Sequence, residues 1–164
     1  MTRQDQRDGP DPAARLNNMV CFNLYLASRA VTAVYRTLLE PLGLTYTQYL
    51  VLATLWEHGD LSVGALMKHL SLDYGTVTPL LKRMEKRELV ARARNPLDER
   101  TVIVTLTPKG QALQAEALRI NKAIIDTFDF NPERAAAANA ILVPIADRAS
   151  RAAGTAASAS DELG

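Results

Sequence analysis

Between residues 75 and 106 the spacing of apolar residues changes from a helical to a strand period, and few folds accommodate that change over so short a stretch. Val77, Leu80, Leu81 and Met84 recur at i, i+3, i+4 and i+7, which is one apolar stripe of a helix expected over residues 75–88. LVARAR and TVIVTL are then alternating or β-branched runs, read as two strands joined by a charged, turn-rich loop at 95–100. Upstream, Thr45 is placed to cap a helix, with Gln48 completing a capping box and Leu44 and Tyr49 forming a hydrophobic staple. That helix stops at Gly59, and Ser62 opens a short one, VGALMKHL. A short helix, a tight connection, a second helix with a basic flank and a two-stranded ribbon make a winged helix-turn-helix. The fold class expected is therefore mainly α, an α+β winged helix, with no internal repeat.

Helix punctuation organises the rest. Asp11 and Pro12 supply an N-cap and a first-turn proline for a helix running to about residue 40, ended by Pro41-Leu42-Gly43. Pro79 is harmless if its helix begins near Gly75 or Thr76, whereas an earlier onset predicts a kink. Thr107-Pro108 opens a helix expected to run about twenty residues, and Asn131-Pro132 opens an Ala-rich one ending near Arg151. Residues 1–11 and the small, polar tail at 152–164 are expected to be disordered.

The physics of such a module suits duplex DNA. A helix with a small, hydroxyl-rich N-terminus can meet base edges in the major groove, and a charged ribbon tip can reach an adjacent minor groove. Tyr74-Gly75-Thr76-Val77-Thr78 supplies that N-terminus, with no Cβ at Gly75 to hold the backbone off a phosphate. From Lys82 to Arg100 there are seven basic and four acidic residues, a local +3 in a chain that totals +1, so any nucleic-acid surface is local. The basic helix alone fits a solvated face of i,i+4 ion pairs equally well, and the ribbon with its arginines is what favours DNA. Apolar faces on the first helix and the last two exceed what a small winged domain buries. Twofold association of these faces would pair two reading heads on a roughly palindromic operator.

Composition closes other routes. Forty-eight per cent apolar and 23% charged residues in 164 describe one ordinary globular domain. MTRQDQRDGPD does not read as a secretory signal, and Asn23, Arg29 and Arg36 interrupt residues 19–39 too often for a membrane span. With one cysteine there is no intrachain disulfide, which fits a reducing cytosol. His58 and His69 stand in no ligand spacing, and no phosphate loop or nucleophile elbow occurs, so neither metal, cofactor nor enzyme activity is expected. The lone thiol, Cys21, lies in MVCFNLYLASRAVTAVYRTLL. Its helical neighbours Asn17, Asn18, Leu24 and Tyr25 include no cation, so a stabilised thiolate would depend on phenol or amide donors. A small core residue satisfies the same pattern.

The block DYGTVTPLLKRMEKRELVARARNPLDERTVIVTLTPKG resembles the recognition helix and wing of the MarR transcriptional regulators, above all in DER followed by Leu106-Thr107. VCFNLYLASRAVTAVYRTLLEPLGLTYTQYLVLATLWE is similar to the organic hydroperoxide resistance (OhrR) branch, one-cysteine type. The resemblance covers residues 15–127. It implies one MarR-like domain over residues 12–151, with the winged helix at 45–107 and dimerisation helices at 12–40 and 108–151. It places the reactive cysteine at Cys21, with Tyr35 and Tyr46 holding the thiolate across the dimer interface and Tyr25 and Phe22 lining the pocket. In DNA binding it implicates Tyr74, Gly75, Thr76, Thr78, Lys82 and Arg83, with Arg100 in the minor groove oriented by Asp98. Tyr74 stands where relatives carry a small serine-like residue, and no second cysteine follows late in the chain. The function implied is a cytoplasmic, nucleoid-associated homodimeric repressor of double-stranded operator DNA. An organic hydroperoxide would oxidise Cys21, a small-molecule thiol would cap it as a mixed disulfide or excess peroxide would oxidise it further, and the operator would be released. Two rivals remain: a MarR-type repressor released by a phenolic ligand, and a thiol peroxidase, which leaves the basic wing unexplained.

Overall fold

The computed structural model describes residues 16–161, with the side chains of Asn17 and of residues 154–161 excepted. The chain divides into two compact units, residues 1–46 and 47–164.

In the first unit a 3-10 turn, Leu16–Asn18, precedes helix α1, Val20–Leu39. Met19 is extended (φ −80°, ψ 113°), so the single helix expected from residue 12 is interrupted there, and the proposed cap at Asp11-Pro12 lies outside the described residues. Neither glycine nor proline marks that break. A second 3-10 turn, Glu40–Leu42, ends α1, and Gly43 adopts the left-handed conformation (φ 62°) that lets its N–H reach the Glu40 carbonyl at 2.9 Å. Pro41-Leu42-Gly43 thus terminates the helix as expected.

Helix α2, Tyr46–His58, carries Tyr49, Val51, Leu52 and Leu55 into the core of the second unit and stops at Gly59, φ 75°. Strand β1, Leu61–Ser62, leads into α3, Val63–Leu70, which Ser62 caps by accepting the Ala65 N–H at 3.1 Å. A three-residue connection follows, with Ser71 left-handed (φ 50°), and then α4, Tyr74–Lys86. Leu66 from α3 and the predicted stripe Val77, Leu80, Leu81 and Met84 from α4 are all buried. Strands β2, Val90–Asn95, and β3, Asp98–Leu106, form an antiparallel hairpin, and β1 adds to the outer edge of β3 in the order β1-β3-β2. Val90 and Val104 carry the sheet into the core. The two-residue strand β1 was invisible in the sequence, because its identity rests on pairing with Val104 and Ile103 some forty residues away.

Thr107 caps α5, Pro108–Ala112, through the Gly110 N–H at 3.1 Å. The twenty-residue helix expected here breaks at Leu113 (ψ −12°) and resumes as α6, Gln114–Phe128. Asn131 accepts the Arg134 N–H at 2.8 Å at the start of α7, Pro132–Asp161, which continues about ten residues past its expected end and takes in most of the tail expected to be disordered. The alanine content of that segment gives it high intrinsic helix propensity. Of the described α7 side chains none is buried, and Ile141, Leu142, Val143 and Ile145 are exposed on it.

Gly110 joins several of these elements. Its carbonyl accepts the indole N–H of Trp56 at 3.2 Å, and a Cβ at its α-carbon would lie 2.0 Å from the Leu89 carbonyl oxygen. Gly110→Ala forces the backbone of α5 away from Leu89, and overpacking of this kind costs about 1–3 kcal/mol. A melting temperature equal to that of the wild type would show that this approach is not constrained.

Candidate DNA interface and sensing helix

The N-terminus of α4 is built by Asp73. Its carboxylate accepts the Thr76 N–H and the Thr76 hydroxyl, each at 2.8 Å, and these bonds hold the acid below the usual aspartate range. A Cβ at Gly75 would sit 3.1 Å from this same carboxylate, so the glycine makes room for the cap as well as for an approaching phosphate. The cap fixes onset at Tyr74, earlier than the Gly75 or Thr76 expected. Pro79 is therefore the sixth helical residue, and the Gly75 carbonyl has no N–H four residues on. Tyr74, Gly75 and Thr76 are exposed, Thr78 is half-buried, and Lys82 and Arg83 are exposed two turns further along.

The wing departs from the simple loop expected. Asn95 pairs with Asp98 across a two-residue turn, Pro96-Leu97, while Arg94 already pairs with Val102. Glu99, Arg100 and Thr101 therefore have no opposite residue and bulge from β3. Asp98 folds this bulge. It accepts the backbone N–H of Arg100 at 3.1 Å and the Thr101 hydroxyl at 2.8 Å. Asp98 thus orients Arg100 through its main chain rather than by pairing with its guanidinium, and a bulge re-aims the side chain it carries. Leu97 stands 95% exposed at the tip, a residue the sequence reading did not single out.

Recognition helix and wing meet over a cleft of about 320 Å³ whose walls include Tyr74, Thr78, Arg92, Arg100 and Thr101. Three predicted DNA residues, Tyr74, Thr78 and Arg100, are brought together there, while Lys82 and Arg83 do not line it. Arg92 is already engaged: it holds Glu85 of α4 through two bonds of 3.0 and 2.5 Å, which depresses the Glu85 carboxyl and fastens the ribbon to the helix. At the other end of α4, Arg87 donates to the buried Gln48 of α2 at 3.3 Å. His58 and His69 stack at 4.5 Å, a pairing sequence spacing did not suggest.

On α1, Cys21 is a free, exposed thiol without a hydrogen-bond partner among the described residues. It is not a core residue of this chain. Phe22 is half-buried, and Tyr25, one turn on, is exposed with its hydroxyl accepting from Arg29 at 2.9 Å. Tyr35 and Tyr46 stack on each other, ring centroids 4.3 Å apart and 28° between planes. Burial pushes the Tyr46 phenol up, so it remains a proton donor at neutral pH. Arg29 was missed at sequence level, because it reaches Tyr25 rather than Cys21.

A capped reading helix, a bulged basic wing and the cleft between them define a winged-helix DNA-binding regulator. A MarR family model matches residues 44–102, which run from α2 through most of the wing. The organic hydroperoxide resistance transcriptional regulator of Bacillus subtilis (strain 168) is 46% identical over 111 residues, covering 68% of this chain and 76% of that protein. The chain belongs to the MarR family. Among solved structures, reduced AbfR bound to DNA is 40% identical with a TM-score of 0.62, over 66% of this chain and 80% of that one, and overoxidised AbfR bound to DNA matches with the same identity and score. BpsR of Bordetella bronchiseptica, whose DNA binding is regulated by 6-hydroxynicotinic acid, is 29% identical with a TM-score of 0.72, over 85% of this chain and 99% of that one. These relatives are transcriptional regulators. Among the described residues no helix is long and apolar enough to cross a membrane.

Proposed function

We propose that this protein is a cytoplasmic, homodimeric repressor that releases a pseudo-palindromic operator when an organic hydroperoxide oxidises Cys21. The observation that carries this reading is the exposed single thiol on α1 of a chain 46% identical to an organic hydroperoxide resistance regulator. The Cys21 thiolate attacks one peroxide oxygen, the O–O bond breaks, and the alcohol leaves, so sulfur is oxidised to sulfenic acid and the peroxide is reduced. A small-molecule thiol then displaces the hydroxyl as water, forming a mixed disulfide. With a single cysteine in the sequence, the sulfenic acid is either capped in this way or oxidised further by excess peroxide. Overoxidised AbfR has been solved bound to DNA. In this reading release follows from loss of the tyrosine hydrogen bonds to the thiolate or from the bulk of the cap.

Twofold association is supported by the apolar side chains left exposed on α6 and α7, among them Leu118, Ile125, Ile141 and Val143. Tyr46 opens α2, and Gln48 on the same turn holds Arg87 at the end of the reading helix. A cap that displaces the Tyr35–Tyr46 pair therefore acts on the helix that grips α4. The test is operator release followed by fluorescence anisotropy, with cumene hydroperoxide titrated against hydrogen peroxide in the presence of a small thiol. Release by the organic peroxide at the lower concentration is expected. Release by a non-oxidising aromatic acid alone, as for BpsR with its ligand, would favour the second reading.

A further inference from the structure

The face of α1 that carries Cys21 is cationic. Between Val20 and Leu39 there is no acidic residue, and the two arginines, Arg29 and Arg36, lie on the side of the helix followed by Cys21, Tyr25, Ser28 and Thr32 at i, i+4, i+7 and i+11. Ser28, Arg29, Thr32, Ala33 and Arg36 line a cavity of about 310 Å³ along this stripe, and all five are exposed. Side chains on a helix lean toward its N-terminus. Arg29 does so: its guanidinium carbon lies 5.6 Å from the Tyr25 ring centroid, and Nη1 donates to the Tyr25 hydroxyl. Its charge is thereby drawn back to the turn that follows Cys21. Arg36 has a second influence on it, since a cation in the last helical turn is favoured by the dipole. Arg29, mid-helix, has no such reason to be basic. Neither arginine has an acidic partner among the described residues.

From this face we propose that the thiol which caps oxidised Cys21 is selected for a carboxylate, held by Arg29 with Arg36 and the Ser28 hydroxyl behind it. The proposal rests on the sensing role given above to Cys21. Arg29 stands eight residues beyond Cys21, about 12 Å along the helix axis. Its guanidinium leans back to Tyr25, one turn from the thiol, a placement that suits a thiol whose carboxylate extends from its sulfur along the helix. The chemistry is that of capping: the S–O bond of the sulfenic acid breaks, an S–S bond forms, the incoming sulfur is oxidised, and the hydroxyl leaves with the thiol's proton as water. The arginines supply attraction only, concentrating the anion at the thiol.

The test uses the full chain, oxidised by one equivalent of cumene hydroperoxide and divided between 3-mercaptopropionate and 2-mercaptoethanol. Mixed-disulfide formation is timed by intact mass, and each rate is divided by that of the same thiol with a small-molecule disulfide. Wild type is expected to favour the carboxylate thiol roughly tenfold. The preference should fall toward unity in Arg29→Gln, shrink in Arg36→Gln, and persist in Arg29→Lys and at low rather than high salt. Equal rates in wild type, or a preference that survives Arg29→Gln, overturn the proposal. Trapping with a sulfenic-acid reagent before thiol is added isolates the first step: if no adduct forms, the sensing role of Cys21 itself fails, and carboxylate selection falls with it.

Discussion

Cys21→Ser binds operator DNA with the affinity of the wild type and stays bound at concentrations of organic hydroperoxide that fully release the wild-type protein. The first half of that result follows from position. Cys21 lies on an exposed face of α1, whereas the residues proposed to read the groove lie on α4 and in the wing, so exchanging sulfur for oxygen removes none of the proposed DNA contacts and little packing within the chain. The second half follows from chemistry: a serine hydroxyl is not oxidised by peroxide and forms no disulfide. The effect is therefore all or none rather than graded. Anisotropy of a labelled operator with matched titrations of the two proteins decides it. Release of the serine variant at the wild-type peroxide concentration would transfer sensing to some other group and leave Cys21 as a bystander.

Arg100→Ala is the second large effect, and it runs the other way. Operator affinity drops about tenfold or more, in line with the 1–3 kcal/mol that specific arginine contacts to DNA contribute, and the slope of log affinity against log salt loses about one unit. Trapping of oxidised Cys21 proceeds as before. The bulge at Glu99–Arg100–Thr101 survives the substitution because Asp98 grips the main-chain N–H of residue 100 and the Thr101 hydroxyl, neither of which alanine removes. Loss of affinity thus reports the guanidinium and not a collapsed wing. An unchanged affinity would remove Arg100 from the interface and leave Tyr74 and Thr78 as the groove-reading residues of the cleft.

The parts of the fold that were legible in the sequence are those with local causes. Ser62, Thr107 and Asn131 cap helices with their own side chains, Gly43 and Gly59 end them in left-handed conformations, and the change of period at residue 90 marks the wing. What was not legible depends on distant partners or on the absence of any signal. Strand β1 exists because β3 offers it an edge. The breaks at Met19 and Leu113 occur at ordinary helix-forming residues. Asp98 was expected to orient Arg100, and its bonds go to the Arg100 main-chain N–H and the Thr101 hydroxyl, a route that no residue spacing encodes. At the sensing helix, periodicity placed Cys21 and Tyr25 one turn apart, but nothing in it distinguished an exposed thiol from a buried one. The Tyr35–Tyr46 stack was out of reach for a different reason. It depends on the 3-10 turn at Glu40–Leu42 folding the chain back, a geometry that composition does not specify.

Trp56 is the only tryptophan in the chain, and its indole N–H ends on the Gly110 carbonyl, where α2 meets the first turn of α5. The fluorescence of the protein therefore has a single indole emitter, seated at the joint where the helix that begins at Tyr46 meets the start of the helices that follow the wing. A hydrogen bond from the indole N–H to a carbonyl tunes the emission wavelength, so any movement of α2 against α5 registers in the spectrum without a label. Under the proposed mechanism that single indole would serve as an optical gauge of the step between chemistry at sulfur and loss of DNA.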